Sequence, residues 1–191
     1  MKSIKDNIRD YQLKLKRAID EVSSQDIENL SNSLYESWKN NNKIYICGNG
    51  GSAGNANHIV NDLIYGAGIS NKKGLNAESL SANPSVLTCL ANDIGYENIY
   101  SEQIKVKAKK NDLLIVLSGS GNSSNILNAI HEAKKRGVRI FSIVGFDGGE
   151  CKKICENHIH FNINDMQISE DMQLIIFHIC MKWLSKKKID K

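Results

Sequence analysis

Long hydrophobic runs are missing from this sequence. Its apolar runs reach only about seven residues, well short of the roughly 20 that a membrane-spanning helix needs. The charged start, MKSIKDNIRDYQLKLKR, also lacks the apolar core of a signal peptide. We therefore expect a cytoplasmic protein with no membrane partner.

A basic surface for nucleic acid is missing as well. The 25 Lys and Arg residues only slightly outnumber the 21 Asp and Glu residues, which gives a net charge of +4. No stripe of basic residues interleaved with aromatic residues is present, and the KKK run at residues 186–188 is typical of a solvated chain end. The sequence therefore predicts no nucleic-acid partner.

The cysteines form no recognisable metal or disulfide pattern. There are five of them, an odd number, with neither a zinc-ribbon spacing nor a CxxC pair. Cys151 and Cys155 alone are spaced to approach each other across one helical turn. We interpret all five as reduced thiols, in keeping with a cytoplasmic location.

What is present begins with a helical pattern over the first forty residues. Apolar residues recur every three or four positions up to Val22, and a second helix follows SSQD, where Ser23 and Asp26 have capping-box spacing. With 191 residues, 41% of them hydrophobic, residues 1–191 should form one domain. Residues 1–40 would be a helical extension whose apolar face packs between subunits, so we expect a homo-oligomer.

From Lys43 onward, short apolar runs alternate with helical stretches. Strands separated by helices favour an α/β fold with a five-stranded parallel sheet that is wound on both faces. We expect the flavodoxin-like strand order 2-1-3-4-5. The predicted strands are KIYIC, LNAESL, DLLIVLS, VRIFSIVGF and HIHFNI. The predicted helices lie near residues 53–65, 84–91, 96–108, 125–136, 149–155 and 168–186.

Two glycine- and serine-rich loops follow the first and third predicted strands. In this strand order those strands are neighbours, so both loops should face one crevice at their carboxyl ends. Backbone N–H groups freed by glycine, serine hydroxyls and helix amino-termini favour an anion, and the loops match neither GxxxxGK[ST] nor GxGxxG. A sugar phosphate fits best; the alternative is a pair of tight turns with capping serines. The predicted substrate contacts here are the backbone at Gly50, Gly51 and Gly119 and the hydroxyls of Ser118, Ser120 and Ser123.

Three motifs carry a resemblance to a known family. CGNGGSAGNANH, LANDIGYENIYSEQI and SGSGNSSNI, in this order and spacing, resemble the sugar-isomerase (SIS) domain of the phosphoheptose isomerases. The resemblance covers nearly the whole chain. It implies a homotetramer that converts sedoheptulose 7-phosphate to D-glycero-D-manno-heptose 7-phosphate, toward ADP-heptose and surface polysaccharide. It also assigns Asn49 and Ser52, in the first motif, and Asp93, in the second, to substrate binding.

The resemblance further implies a zinc ion held by His58, Asp62, Glu170 and His178. His58 and Asp62 are four residues apart on one predicted helix, and Glu170 and His178 are eight apart on another, so each pair shares a helix face. Two imidazoles and two carboxylates form a set that zinc accepts. Taken alone, the apolar run LIIFHICMKWL favours a core histidine at His178, and Glu170 is equally compatible with a residue that complements a helix dipole.

The implied reaction passes through an enediol. A carboxylate removes the proton beside the carbonyl, and zinc polarises that carbonyl. Asp62 matches the position of the family's base and is our first choice, Glu170 is the second, and His178 would donate or relay a proton. If His178 binds zinc, it cannot also give up a proton from the same nitrogen.

The chain departs from the family pattern at four positions. Asp62 replaces a longer glutamate, and Glu170 replaces a glutamine. We therefore expect the site to combine a shorter carboxylate at Asp62 with a longer one at Glu170 while it keeps a base and a set of metal ligands. Gly119 stands where threonine is usual, and Gly66 where an arginine is usual. These changes predict a looser or differently shaped phosphate end. The alternatives are an isomerase of another ketose phosphate and a non-catalytic SIS binding module of the type that associates with DnaA.

Overall fold

The computed structural model describes residues 3–69 and 73–189. These residues form a five-stranded, wholly parallel sheet in the order β2-β1-β3-β4-β5. The α/β class and the strand order predicted from the sequence are confirmed. The strands are β1 (Ile44–Gly48), β2 (Ala77–Ser79), β3 (Leu113–Ser118), β4 (Arg139–Val144) and β5 (Asn157–His160).

Helices connect the strands and cover both faces of the sheet. A π-helical turn, Asp62–Gly66, directly continues the third helix, and a 3₁₀ turn, Tyr96–Asn98, precedes the fifth. The α-helices are α1 (Ile4–Glu21), α2 (Ser24–Lys39), α3 (Gly51–Asn61), α4 (Pro84–Ile94), α5 (Ser101–Lys107), α6 (Ser124–Lys135), α7 (Gly149–Ile154) and α8 (Met166–Leu184).

Alternation along the central strand β3 divides the interior into two cores. All six β3 residues are buried, as expected for a parallel strand covered on both sides. Leu113, Ile115 and Leu117 pack with residues of α2, α3 and α8, whereas Leu114 and Val116 pack with residues of α5 and α6. The helices that carry the predicted metal ligands, α3 and α8, therefore lie together on one face.

The two helices at the start of the chain differ in burial. In α2, Leu30 and Leu34 are fully buried in the core against α8, and Ser23 caps the helix by accepting the Asp26 N–H at 3.2 Å. In α1 only Ala18 is buried, and the helix leaves apolar side chains in solvent. The exposed ones include Ile4, Ile8, Leu13 and Ile19.

Four of the five cysteines are buried and Cys89 is exposed. All five cysteines lie in the described ranges and are free, and burial raises the pKa of the Cys151 thiol to about 12. Between residues 3 and 69 and between 73 and 189, no helix combines the length and the apolar character that crossing a membrane requires.

Candidate active site

The two glycine- and serine-rich loops meet at the carboxyl edge of the sheet. β1 and β3 are paired strands, with Gly48 opposite Leu117 at their ends. Beyond these ends, Asn49 Nδ2 donates to Asn125 Oδ1 at 2.9 Å, and Asn125 Nδ2 donates to Asn49 Oδ1 at 2.8 Å. Asn125 is only 1% exposed. A pair of amide hydrogen bonds, with Asn125 buried and Asn49 half-buried, therefore joins the loops into one site.

The hydroxyls of the second loop keep their hydrogens available for a ligand. Ser118 Oγ accepts the Gly121 N–H at 3.0 Å, and Ser120 Oγ accepts the Asn122 N–H at 3.3 Å. Ser123 precedes α6 as its N-cap, but within the described chain its side chain makes no capping hydrogen bond. All three hydroxyls can donate to an anion beside the N–H groups at the start of α6.

Gly119 leaves a space that a neighbouring side chain fills. A Cβ at this position would lie 2.6 Å from the Met166 sulfur and 3.5 Å from the Phe146 ring. A threonine here would therefore require Met166 to move. Met166 and Phe146 therefore form an apolar wall beside Gly119, and the looser or differently shaped phosphate end stays a prediction.

The first loop turns into α3 through glycine. Gly50 has φ +55°, in the left-handed region that favours glycine, and α3 begins at Gly51 without a side-chain cap in the described structure. Ser52 is 3% exposed, and its Oγ accepts a hydrogen bond of 3.0 Å from Gln173 Nε2 of α8. Ser52 therefore fixes α3 to α8 and retains one hydroxyl hydrogen to donate.

Three metal-ligating side chains converge between α3 and α8. His58 Nε2 lies 3.2 Å from His178 Nε2 and 3.5 Å from Asp62 Oδ2, and His178 Nε2 lies 3.4 Å from the same Asp62 oxygen. We call these three residues the three-ligand cluster. The side chains of His58 and His178 are 49% and 44% exposed, so solvent reaches the cluster.

The spacing of the cluster fits zinc. Ligands bound at about 2.0–2.1 Å to a tetrahedral zinc ion lie about 3.3–3.4 Å from one another. The three observed separations, 3.2, 3.4 and 3.5 Å, are close to that edge length. Two imidazoles and one carboxylate also form a donor set that zinc prefers, and they leave the fourth vertex open, as in catalytic zinc sites.

Comparison with known proteins identifies the family. Residues 9–145 match the family model of the SIS domain. The phosphoheptose isomerase of Helicobacter pylori strain Shi470 is 42% identical over 146 residues, which cover 76% of each chain. That of Aliarcobacter butzleri strain RM4018 is 36% identical over 161 residues, 84% of this chain and 85% of the relative. This chain belongs to the phosphoheptose isomerase family.

A solved structure agrees at the level of the fold. The phosphoheptose isomerase of Neisseria gonorrhoeae, 21% identical, aligns with a TM-score of 0.87 over 97% of this chain and 100% of its own. The phosphoheptose isomerase resemblance read from the three sequence motifs is thus confirmed. At 21% identity this likeness shows the fold alone, so the roles of the site residues are argued from the geometry of this chain.

Glu170, the fourth predicted ligand, lies apart from the three-ligand cluster. Among the described residues, only His58, Asp62 and His178 group as metal ligands. The Glu170 carboxylate rests on Gly51 instead, since a Cβ added there would lie 2.3 Å from both carboxylate oxygens. A negative charge at this point is favoured by the amino-terminus of α3. Glu170 is therefore a second carboxylate, placed at the first loop.

Asp93 stays within its own helix. Its exposed carboxylate accepts hydrogen bonds from Asn92 Nδ2 at 2.8 Å and Cys89 Sγ at 3.5 Å, both in α4. Among the described residues these hydrogen bonds do not reach either loop. Its assignment to substrate binding stays a prediction of the family resemblance.

Sequence reasoning missed several polar residues that shape the site. Tyr96 donates from its hydroxyl to Asn49 Oδ1 at 3.0 Å, and Asn55 Nδ2 donates to Gln173 Oε1 at 2.9 Å. Asn125 directly follows the serines of the second loop, so its proximity to that loop was a usable signal. Tyr96 and Gln173 gave none, because their partners are 47 and 121 residues away in the chain.

Proposed function

We propose that this chain, an aldose–ketose isomerase that acts on a phosphosugar, converts sedoheptulose 7-phosphate to D-glycero-D-manno-heptose 7-phosphate with the help of zinc. The observation that carries the proposal is the three-ligand cluster, whose spacing fits zinc and which lies between α8 and the helix that follows the first loop. The curated relatives that match most of the chain are named phosphoheptose isomerases, which supports the choice of substrate.

The loops hold the phosphate in this proposal. Ser118, Ser120 and Ser123 donate their hydroxyl hydrogens, and the start of α6 adds backbone N–H groups. Asn49 has one further amide hydrogen to donate, because its other amide bonds go to Asn125. This arrangement fixes the substrate by its charged end and leaves the carbonyl end to reach the cluster.

Two carboxylates are available to remove the proton beside the carbonyl. Asp62 is our first choice because its position matches the family's base, and Glu170 is the second. His178, His58 and Asp62 would hold zinc, which supplies polarisation of the substrate carbonyl when bound. Asp62 or Glu170 takes the proton from C1 and returns it to C2, while the C1 hydroxyl loses a proton and the C2 oxygen gains one, which turns the ketose into the aldose.

We also propose a homotetramer that works in the cytoplasm, toward ADP-heptose and surface polysaccharide. Helix α4, described along its whole length, has no buried residue, and its Ile94 is exposed. Together with the apolar side chains that α1 exposes, this surface is suited to subunit contacts. Free cysteines in the described chain support a reducing compartment.

The proposal is tested by turnover of sedoheptulose 7-phosphate with purified protein, metal-free and zinc-loaded. We expect turnover that a chelator abolishes and zinc restores. His178→Gln should lose it, whereas His131→Gln, which removes an exposed histidine of α6, should keep it. Turnover that a chelator leaves unchanged would contradict the proposed role of zinc. No turnover by either the metal-free or the zinc-loaded protein would point to another ketose phosphate or to a non-catalytic binding module.

A further inference from the structure

The turn that begins at Asp62 is wider than an α-helix. In the π-helical turn Asp62–Gly66, the Ala67 N–H donates to the Asp62 carbonyl at 2.9 Å, five residues back. π-helical turns are rare and are frequent at functional sites. This one starts at the carboxylate of the three-ligand cluster.

A segment further along the chain binds the carbonyl that this turn releases. In an α-helix the Ala67 N–H would bond to the Leu63 carbonyl, four residues back. Here the Leu75 N–H donates to that carbonyl at 3.0 Å, and both leucine side chains are buried. Leu75 lies in residues 73–76, which lead into β2 and which we call the strap.

Glycine allows the strap to touch the turn. A Cβ at Gly74 would lie 1.6 Å from the Ile64 carbonyl oxygen, and a Cβ at Gly68 would lie 2.5 Å from Cα of Gly74. These are backbone atoms, which cannot rotate aside as the end of a side chain can. Any side chain at position 74 would therefore push the strap and the turn apart by more than about 1 Å, because a Cβ is essentially never found within 3.0 Å of such an atom.

We propose that the strap fixes the π-helical turn and thereby positions Asp62 in the three-ligand cluster, with Gly74 as the positioning residue. An aspartate carboxylate is tied to its backbone by a short side chain, so a shift of the backbone moves Oδ2 relative to His58 and His178. The inference rests on the proposed zinc site and adds to it a residue that touches no ligand atom.

The test measures zinc affinity in the full-length chain by competition with a chromogenic chelator. We expect Gly74→Ala to weaken zinc binding about 10- to 100-fold, as loss of the support around metal ligands does. Gly54→Ala and Gly66→Ala are matched controls. A Cβ at Gly54 meets no described atom within 4 Å, and one at Gly66 makes an ordinary 3.4 Å contact with the Met181 sulfur.

Gly68→Ala separates the same two segments and serves as the second variant should Gly74→Ala fail to fold. Thermal unfolding of the metal-free proteins reports folding separately from metal binding. If Gly74→Ala and Gly68→Ala both bind zinc with the same affinity as the controls, the inference is overturned, even when their Tm is lowered. Absence of zinc binding by the unsubstituted protein is a different result, which would overturn the metal proposal and this inference with it.

Discussion

The amide pair between Asn49 and Asn125 gives a quantitative prediction. Asn125→Ala removes both hydrogen bonds that join Asn125 to Asn49 at 2.8 and 2.9 Å. At about 1 kcal/mol per bond, and with the Asn49 amide left partly unpaired, the free energy of unfolding should fall by about 2–3 kcal/mol. For a chain of this size that is a fall in Tm of about 5–10 °C.

Asn128→Ala is the matched control for this change. Asn128 lies one turn further along α6, and its amide donates one strong hydrogen bond, to the Glu97 carbonyl at 3.0 Å. We expect its Tm to fall by only about 2–4 °C, the effect of one hydrogen bond. The two Tm values are measured at one protein concentration, because association of subunits would shift them.

Substrate binding provides the second measurement. If the amide pair sets the distance between the loops, Asn125→Ala should raise the KM for the phosphosugar several-fold, roughly 1 kcal/mol of binding, while Asn128→Ala leaves it unchanged. Equal falls in Tm for the two variants, with equal KM values, would refute the view that this pair holds one site together.

Three further predictions concern carboxylates. Asp62→Asn should lose both bound zinc and turnover, whereas Glu170→Gln should keep its zinc. Metal analysis of the two proteins checks this, and zinc retained by Asp62→Asn would contradict the role of Asp62 as a ligand. Gly51→Ala should displace the Glu170 carboxylate and lower turnover by about 10- to 100-fold with little change in Tm. In a protein that already carries Glu170→Gln, the same change should have little further effect on turnover, and equal losses in both backgrounds would refute a role for that carboxylate. The pKa of Asp165 is lowered, chiefly by the hydrogen bond from Lys14, so the ionised carboxylate stabilises the fold above about pH 4 and this stabilisation is lost as the pH falls below that value. In thermal melts from pH 6 to 3, the Tm of Asp165→Asn should therefore converge on that of the unsubstituted protein, and a constant difference in Tm would contradict this.

The sheet was predictable because its signal is local. DLLIVLS is nearly continuous in apolar residues, and it forms the fully buried central strand β3. The loops after the first and third strands then indicated the crevice, since this strand order brings them together. The edge strand gave a weaker signal, and β2 covers only Ala77–Ser79 of the predicted LNAESL.

Elements that depend on distant contacts were predicted less well. The helix expected over residues 53–65 is α-helical only as far as Asn61, and a π-helical turn follows it. The Leu75 N–H donates to the Leu63 carbonyl, so that carbonyl is not bonded within an α-helical turn. The helix expected over residues 96–108 is divided into a 3₁₀ turn and α5, which begins after the buried Tyr100. Periodicity within a segment carries no information about such partners.

The candidate site divides in the same way. His58 and Asp62 share a helix face by spacing alone, and the structure brings them together with His178 from a helix 120 residues away. Glu170 was expected to join His178 in one metal site, but its carboxylate rests on Gly51 at the start of α3 and does not group with His58, Asp62 and His178. Side-chain direction between two helices depends on how they pack, which the sequence of either helix does not state.

The most direct test of the proposed function is isomerisation of sedoheptulose 7-phosphate in D₂O, followed by NMR. A base that takes the proton from one carbon and returns it to the next exchanges it with solvent. We expect the zinc-loaded protein to form the aldose with deuterium at C2, and Asp62→Asn to form none. Failure of the zinc-loaded protein to form any aldose from this substrate would contradict the account.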